Sequence, residues 1–580
     1  MALQQLKTTW GENVGDMPLQ EYPRPQFQRK SYLNLNGWWD CTFSKNQQLP
    51  KHYDTKILVP FSPETTLSGV GRQLQPDEFL FYRRTISLAK SFNKGLVLLN
   101  FGAVDSICDV FVNGVHCCHH EGGYNAFSTD ITKALSDTMQ NEIVVRVADY
   151  SDTKHYTNGK QALKRGGMWY TAQSGIWQTV WMESVPTEYI ASARITPDID
   201  LGQVTIELDC NFKDNVTVTV LDGDKEVAKA DGKDKIVVKM PGDFKLWSPE
   251  HPHLYNLLLV SRRDMVQSYF GMRKFGVETV GKYKRLMLNN QPYFHNGLLD
   301  QGYWSDGLYT APSDQALVFD IQTMKDLGFN MLRKHIKVEP MRWYYHCDRL
   351  GMLVWQDMPS GGTYQHKMST LYIPHVFMCM RKMKDSNYKR FSRQSEQSRD
   401  MFHTEYVEML DQLYNCTCIA MWVPFNESWG QFDAKQIAQF TKEYDPTRTV
   451  DHASGWHDQG GGDCNSMHVY YRKMRTKRDK KRAVVLSEFG GYCLKDAEHS
   501  FNPDKTYGYK LLESKEQLGQ ELAKLFQRDV EKQIAKGLCA SVYTQVSDVE
   551  DEVNGLLTFD RKVLKVDADT MRAINKKVKL

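Results

Sequence analysis

Glu427 follows the apolar run Ile419-Ala-Met-Trp-Val-Pro-Phe425 and Asn426, and Glu488 closes Ala483-Val-Val-Leu-Ser487. Each acid ends a run of the kind that forms a strand buried on both faces. In a (β/α)8 barrel, the C-terminal ends of such strands deliver catalytic side chains to the barrel mouth. Two carboxyls delivered there together suit glycoside hydrolysis, in which one protonates the departing oxygen and the other works at the anomeric carbon. Either acid taken alone reads more commonly as a strand-end group held in a salt bridge. The string Trp-Val-Pro-Phe-Asn-Glu-Ser-Trp over 422–429 decides for catalysis. It places an Asn, a Glu and two indoles where an ordinary helix start would carry Asp, Ser or Gly.

The elements that must position these acids follow from the periodicity. Up to residue 186, short alternating apolar runs such as Leu96-Val-Leu-Leu-Asn-Phe101 and Glu142-Ile-Val-Val-Arg-Val147 are separated by Gly, Asn and Asp turns, which predicts a jelly-roll-like β-sandwich over 1–186. Val204-Thr-Ile-Glu-Leu208, Val216-Thr-Val-Thr-Val220 and Lys235-Ile-Val-Val-Lys239 are spaced as in an immunoglobulin-like sandwich over 187–276. From 277 to 580 helix-like and strand-like segments alternate, for example a helix over 314–327, a strand over 330–333, a helix over 342–350 and a strand over 352–356. This predicts a catalytic (β/α)8, or TIM, barrel. The segment 363–397, rich in Met, Arg, Lys and Ser, is expected to form a long loop over the barrel mouth.

Composition narrows the class. The 580 residues exceed one hydrophobic core, and 41% hydrophobic with 12% aromatic residues supply several cores and flat rings for stacking on sugars. A net charge of +3 carries no nucleic-acid footprint, and the basic stretch 472–482 reads as a solvated loop or helix between two barrel strands. No segment is long and apolar enough for a membrane span or signal sequence, so the expectation is a cytoplasmic protein with no membrane partner. The twelve cysteines lack the spacing of a zinc site or disulfide scaffold and are expected to be reduced.

With these strings in their order, the chain resembles glycoside hydrolase family 2, the family of β-galactosidases, β-glucuronidases and β-mannosidases. The resemblance runs from Leu35-Asn-Gly-Trp-Trp39 through Asp109-Val-Phe-Val-Asn-Gly114, Ser174-Gly-Ile-Trp177, Gly271-Met-Arg-Lys-Phe275 and Asn330-Met-Leu-Arg-Lys-His335 to the two acid motifs. It implies a retaining exo-acting β-glycosidase, with Glu427 as acid/base and Glu488 as nucleophile. Asn426 then binds the sugar 2-hydroxyl, and Arg333 orients Glu488. His335 matches a substrate-contacting position, and Tyr470 resembles the tyrosine that bonds the nucleophile, with Tyr471 or His468 as alternatives if the register slips. Asp300 and Tyr543 lie at strand ends where the family binds sugar, with a loop cap as the competing reading of Asp300. Asp357 is expected to support the site from behind. Trp456 and Trp304 are candidate stacking platforms, against a default of core aromatics. Members with this layout often assemble as homo-oligomers.

Departures from the family bear on the sugar. The stretch Glu552-Val-Asn-Gly555 lacks the lysine with which β-glucuronidases hold a uronate, so a β-galactoside is the leading expectation. Glucuronide, galacturonide, mannoside and α-L-arabinopyranoside are the alternatives. Gly167 precedes Met168-Trp169 and Gly491 follows the nucleophile motif, where large bacterial β-galactosidases carry Asp and His; Ser360-Gly-Gly-Thr363 offers no ligands either. Neither a metal nor another cofactor is expected, and His335, His452, His457 and His468 lack metal-ligand spacing. The contrasting class is a carbohydrate-binding protein on an enzyme fold, against which the presence of both acids speaks.

Overall fold

The structure, a computed structural model, describes residues 3–580 apart from 137 and 363–382. In the N-terminal unit, alternation of buried and half-buried positions, as along Ile107–Val112, gives each strand one face for a core. A six-stranded sheet, ordered Thr55–Val59, Gly37–Ser44, Phe79–Ser87, Gln140–Ala148, Ile107–Val112 and Val115–Glu121, packs on a four-stranded sheet that includes Leu96–Phe101 and Val180–Val185. Trp39, Tyr82, Leu99, Val110, Val145 and Met182 fill the space between them.

The second sandwich sets the three strands Ile190–Asp198, Gln203–Cys210 and Lys235–Lys239 against the four strands Lys225–Gly232, Val216–Asp222, Tyr255–Val260 and Met265–Phe270. Its core is Ile195, Val204, Ile206, Val218, Val238, Leu257 and Phe270. The hairpin Phe275–Val280 with Tyr283–Leu288 then leads to the barrel. Its Arg285 donates to the carbonyls of Leu538 (2.7 Å) and Ile534 (2.9 Å), at the start of the eighth barrel strand. That contact places the hairpin at the N-terminal end of the barrel, opposite the chemistry.

The eight barrel strands are His295–Asp300, Met331–Lys334, Leu353–Asp357, Ile419–Val423, Thr449–Val450, Cys464–Val469, Ala483–Gly490 and Leu538–Thr544. Every pairing in the sheet is parallel, and the ladder is continuous except between the fifth and sixth strands. The fourth and seventh strands are buried at every position, because helices cover one face and the barrel interior the other. The helices begin where the sequence offers a cap: Ser313, Ser395, Ser514 and Asp567 each accept a backbone N–H of the first turn. Gly351, at φ 75°, ends the helix Met341–Leu350.

Of the loop expected over 363–397, residues 363–382 lie outside the described residues. The remainder runs as turns into the helix Glu396–Leu413, and Asp385 accepts from the backbone N–H of Ala434 at 2.9 Å, tying this stretch to the loop that carries Glu427. The cysteines among the described residues are unpaired and mostly buried. Among the same residues no helix is long and apolar enough to cross a membrane.

Candidate active site

Glu427 and Ser428 stand at φ 49° and 66°, two consecutive non-glycine residues in the left-handed region just past the fourth strand. The backbone N–H of Glu427 donates to the Ser454 carbonyl at 2.9 Å, so the loop after the fifth strand holds this turn in place. Such conformations persist only where surroundings enforce them, and they cluster at functional sites. Glu488 reaches the mouth by another device. The pairing of its strand slips against the eighth strand between Leu486 and Phe489, and against the sixth between Met467 and His468. Irregularities of this kind re-aim side chains.

The two acids meet across one imidazole. His468 Nδ1 lies 2.7 Å from Glu427 Oε1 and 3.4 Å from Glu488 Oε2. His468 Nε2 is 3.2 Å from Ser454 Oγ and 3.5 Å from Arg333 Nη1. A guanidinium can only donate, so this setting favours the tautomer with its proton on Nδ1, directed at the carboxylates. One oxygen of Glu427, one of Glu488 and a His468 nitrogen all lie within 4.8 Å of one another. Among the described residues this is the group of three whose atoms are close enough to share a metal ion, and it is the acid pair itself.

Arg333, with no exposed side-chain surface, organises the cluster. It donates to both oxygens of Asp357 (3.0 Å each), to Glu488 Oε1 (3.1 Å), to the Ser487 carbonyl (3.0 Å) and to Asn426 Oδ1 (2.8 Å). Asp357 Oδ2 also meets His335 Nδ1 at 2.9 Å. Burial pushes the Glu488 carboxyl above its ordinary range, His468 and Arg333 pull it back, and Glu427 adds to the rise. The Tyr470 hydroxyl donates to Glu488 Oε2 and lies 3.0 Å from Thr544 Oγ1. Next to Glu427, three buried polar atoms have no hydrogen-bond partner among the described residues: Asn426 Nδ2, Ser428 Oγ and Trp429 Nε1. Buried donors are rarely left unmatched unless a ligand completes them.

The structure thus brings Glu427, Glu488, Asn426, Arg333, Asp357, His335 and Tyr470 into one cluster. Between the alternatives for the nucleophile's partner, Tyr470 makes the bond, His468 stands beside it, and Tyr471 is 67% exposed. Trp456 is buried with its ring 6.2 Å from that of His468. Asp300 sits elsewhere: Lys334 Nζ (2.8 Å) and the Gly302 N–H (2.9 Å) hold its carboxylate in a buried ion network that includes Glu339. Tyr543 faces away from the site, with its ring against Phe489 and Phe526, while its neighbour Thr544 lines the cavity. Trp304 is core, between Trp10 and the guanidinium of Arg561.

Seven residues that line the cavity holding both acids were not among the predicted site residues: Lys160 and Met168 from the N-terminal unit, Leu299 and Thr544 from barrel strands, and Tyr507, Tyr509 and Glu552 from barrel loops. Tyr509 stacks on Tyr470 at 3.9 Å with an interplanar angle of 11°. Gly491 is required beside it, since at φ 65° an added Cβ would stand 2.4 Å from the Tyr509 ring. A larger cavity of about 400 Å³ lies where the two sandwiches meet the barrel flank, around Phe27, Trp177, Trp181 and Met341; it holds none of the predicted site residues.

Sequence profiles match along the chain in the same order: the family 2 glycosyl hydrolase sugar-binding domain over residues 29–186, a second family 2 domain over 188–273 and the family 2 TIM barrel domain over 280–495. The chain belongs to glycoside hydrolase family 2. Among curated relatives, a putative beta-glucuronidase of Formosa agariphila is 27% identical over 377 residues, covering 58% of this chain and 42% of that protein. A beta-galactosidase of Thermoanaerobacter pseudethanolicus is 24% identical over 400 residues, covering 63% and 47%. The family 2 chain thus matches about half or less of the length of these relatives. Among solved structures, the beta-D-glucuronidase of Dictyoglomus thermophilum superposes with a TM-score of 0.73 at 16% identity, covering 96% of this chain and 98% of that one, a likeness of fold.

Proposed function

We propose that this family 2 glycosidase is a retaining, exo-acting β-glycosidase that works by double displacement, with Glu488 as nucleophile and Glu427 as acid/base. The observation that carries this reading is the approach of the two carboxyls, an oxygen of each within 4.8 Å of the other. Retaining enzymes hold the pair about 5–5.5 Å apart, and inverting enzymes need about 6.5–9.5 Å to admit a water.

The surroundings divide the labour. Arg333 and Tyr470 hold one oxygen each of Glu488 and favour its charged form, as a nucleophile requires. On Glu427, His468 meets Oε1 at 2.7 Å, and the Glu427 carboxyl is the group assigned to give its proton to the departing oxygen. Forming the glycosyl ester removes the charge of Glu488, so the acid form of Glu427 is less favoured in the second half of the reaction and it acts as base on water. His335, held well below its ordinary pKa by burial, stays neutral and is oriented by Asp357.

For the sugar, the relatives' names divide between a neutral glycone, the β-galactoside the sequence favours, and an anionic one. The test is hydrolysis of 4-nitrophenyl β-glycosides, with the first-formed product followed by NMR. The β-anomer should appear first, and turnover should fall by several orders of magnitude in Glu488→Ala and, for poor leaving groups, in Glu427→Gln. An α-anomer formed first would end the retaining assignment, and full turnover in Glu488→Ala would end the mechanism.

A further inference from the structure

Among the described residues four lysines are buried: Lys160, Lys334, Lys337 and Lys565. Three have counter-charges inside the protein. Lys334 pairs with Asp300 and Glu339, Lys337 with Glu339, and Lys565 with Asp548. Lys160, 6% exposed, has none: among the described residues no carboxylate lies within ion-pair distance of its ammonium, and no acceptor receives a hydrogen bond from it. The faces of Tyr170 and Trp429 lie beside it, with ring centroids 5.5 and 5.8 Å away. A lysine side chain is rarely buried without a paired charge, and cation–π contact offsets only part of that cost; the Lys160 Nζ is not itself a sealed, unmatched atom.

The unpaired cation lies in the active site. Lys160 lines the same cavity as Glu427, Glu488 and His335, and it comes from the N-terminal sandwich. Gly159 gives the chain its route: at φ 57° it passes so near Tyr124, Tyr309 and the Ile336 carbonyl that an added Cβ would stand about 3 Å from each. The charge is felt there, since Lys160 stands next after burial among the causes that hold the His335 imidazole below its ordinary value. Glu552, the third carboxylate residue of the cavity wall after Glu427 and Glu488, is engaged by the Tyr170 hydroxyl and Asn554 Nδ2. It stands in the stretch that lacks a lysine.

We propose that Lys160 is the specificity residue of this site, its ammonium receiving the carboxylate of an anionic glycone, so that the preferred substrate is a β-linked hexuronide. The assignment rests on the glycosidase reading above. It replaces the β-galactoside expectation, which followed from a missing lysine on the barrel side, by a lysine supplied from the other domain.

The experiment compares the full chain with Lys160→Met and Lys160→Arg on 4-nitrophenyl β-D-glucuronide, β-D-galacturonide, β-D-galactoside and 6-sulfo-β-D-galactoside. The wild type should prefer a uronide. The ratio of kcat/KM for that uronide to kcat/KM for the galactoside should drop about 100-fold in Lys160→Met, with partial recovery in Lys160→Arg. A ratio unchanged by Lys160→Met, a preference for the neutral galactoside, or a preference for the sulfated sugar would each overturn the carboxylate assignment. If the whole panel is inert, the glycosidase reading fails separately, and calorimetry with D-glucuronic and D-galacturonic acid decides for Lys160. Binding by the wild type that is lost in Lys160→Met upholds it, and no binding overturns it.

Discussion

Asn426→Ala offers the sharpest test of how the site recognises the reacting sugar. Asn426 Oδ1 is anchored by Arg333 at 2.8 Å, which fixes the amide plane and leaves Nδ2 as a buried donor without a partner among the described residues. An unmatched buried donor costs about 1–3 kcal/mol, and a sugar 2-hydroxyl accepting from it recovers that amount. Deleting the amide should therefore lower kcat/KM about 5- to 150-fold, and the loss should sit in kcat, because contacts to the 2-hydroxyl strengthen in the oxocarbenium-like transition state. The mutation also removes one acceptor of Arg333, which keeps Asp357 and Glu488. A cycle separates the two effects. Each enzyme is assayed on the preferred 4-nitrophenyl glycoside and on its 2-deoxy analogue, and the effect of the substitution is compared between substrates. The contact predicts that Asn426→Ala costs little on the 2-deoxy sugar. Equal losses on both would refute it and assign the effect to a loosened Arg333.

Two further outcomes follow from the same geometry. Tyr470→Phe keeps the ring stacked on Tyr509 but removes the hydroxyl that donates to Glu488; loss of a hydrogen bond to a charged group should lower kcat/KM about 10- to 150-fold. Because that donor favours the charged carboxylate, the acidic limb of the pH–rate profile should move to higher pH, and an unmoved limb would refute the pairing. Glu405, buried on the helix Glu396–Leu413 and bonded by the Thr157 hydroxyl, has its carboxyl pushed up by burial from 4.5 to about 8. The folded state then binds the extra proton, so this contribution to stability is complete below about pH 4.5 and is lost as pH rises through about 8. Glu405→Gln should unfold at a midpoint that rises relative to wild type across that window and levels off above it, and a difference independent of pH would show that Glu405 ionises normally.

The acid pair was legible because a strand buried on both faces tolerates few charges, so an acid closing such a run stands out. Register was harder. Along a strand, alternate residues share a face, so His468 and Tyr470 enter the site together while Tyr471 points outward. The same rule explains the eighth strand: Thr544 faces the cavity, and Tyr543, one residue earlier, packs into the layer behind it. An aromatic at a strand end advertises a sugar platform, but a slip of one residue turns it into core. The partner of Asp300 could not be read from its own strand, since the lysine that claims it, shared with Glu339, comes from the next one. Lys160, Tyr507, Tyr509 and Glu552 carry no periodic mark, and only the docking of separate segments brings them to the acids.

That docking is built into the chemistry of the mouth. The segment that carries Lys160 is held to the barrel on both sides: the Asn158 and Gly159 N–H groups donate to the Ser360 carbonyl at 3.0 and 2.9 Å, and Arg165 pairs with Glu550 and Asp551 at 3.3 and 3.0 Å. The Thr157 hydroxyl donates to Glu405, and that of Tyr170 to Glu552. Each of these barrel acids is buried, and parting the domains would leave each without one of its partners or hydrate it. The same contacts that set Lys160 beside Glu427 and Glu488 therefore hold the N-terminal sandwich on the barrel. A barrel without that sandwich keeps its two acids but loses Lys160 from the cavity they share, and with it the group proposed to read the charge of the sugar.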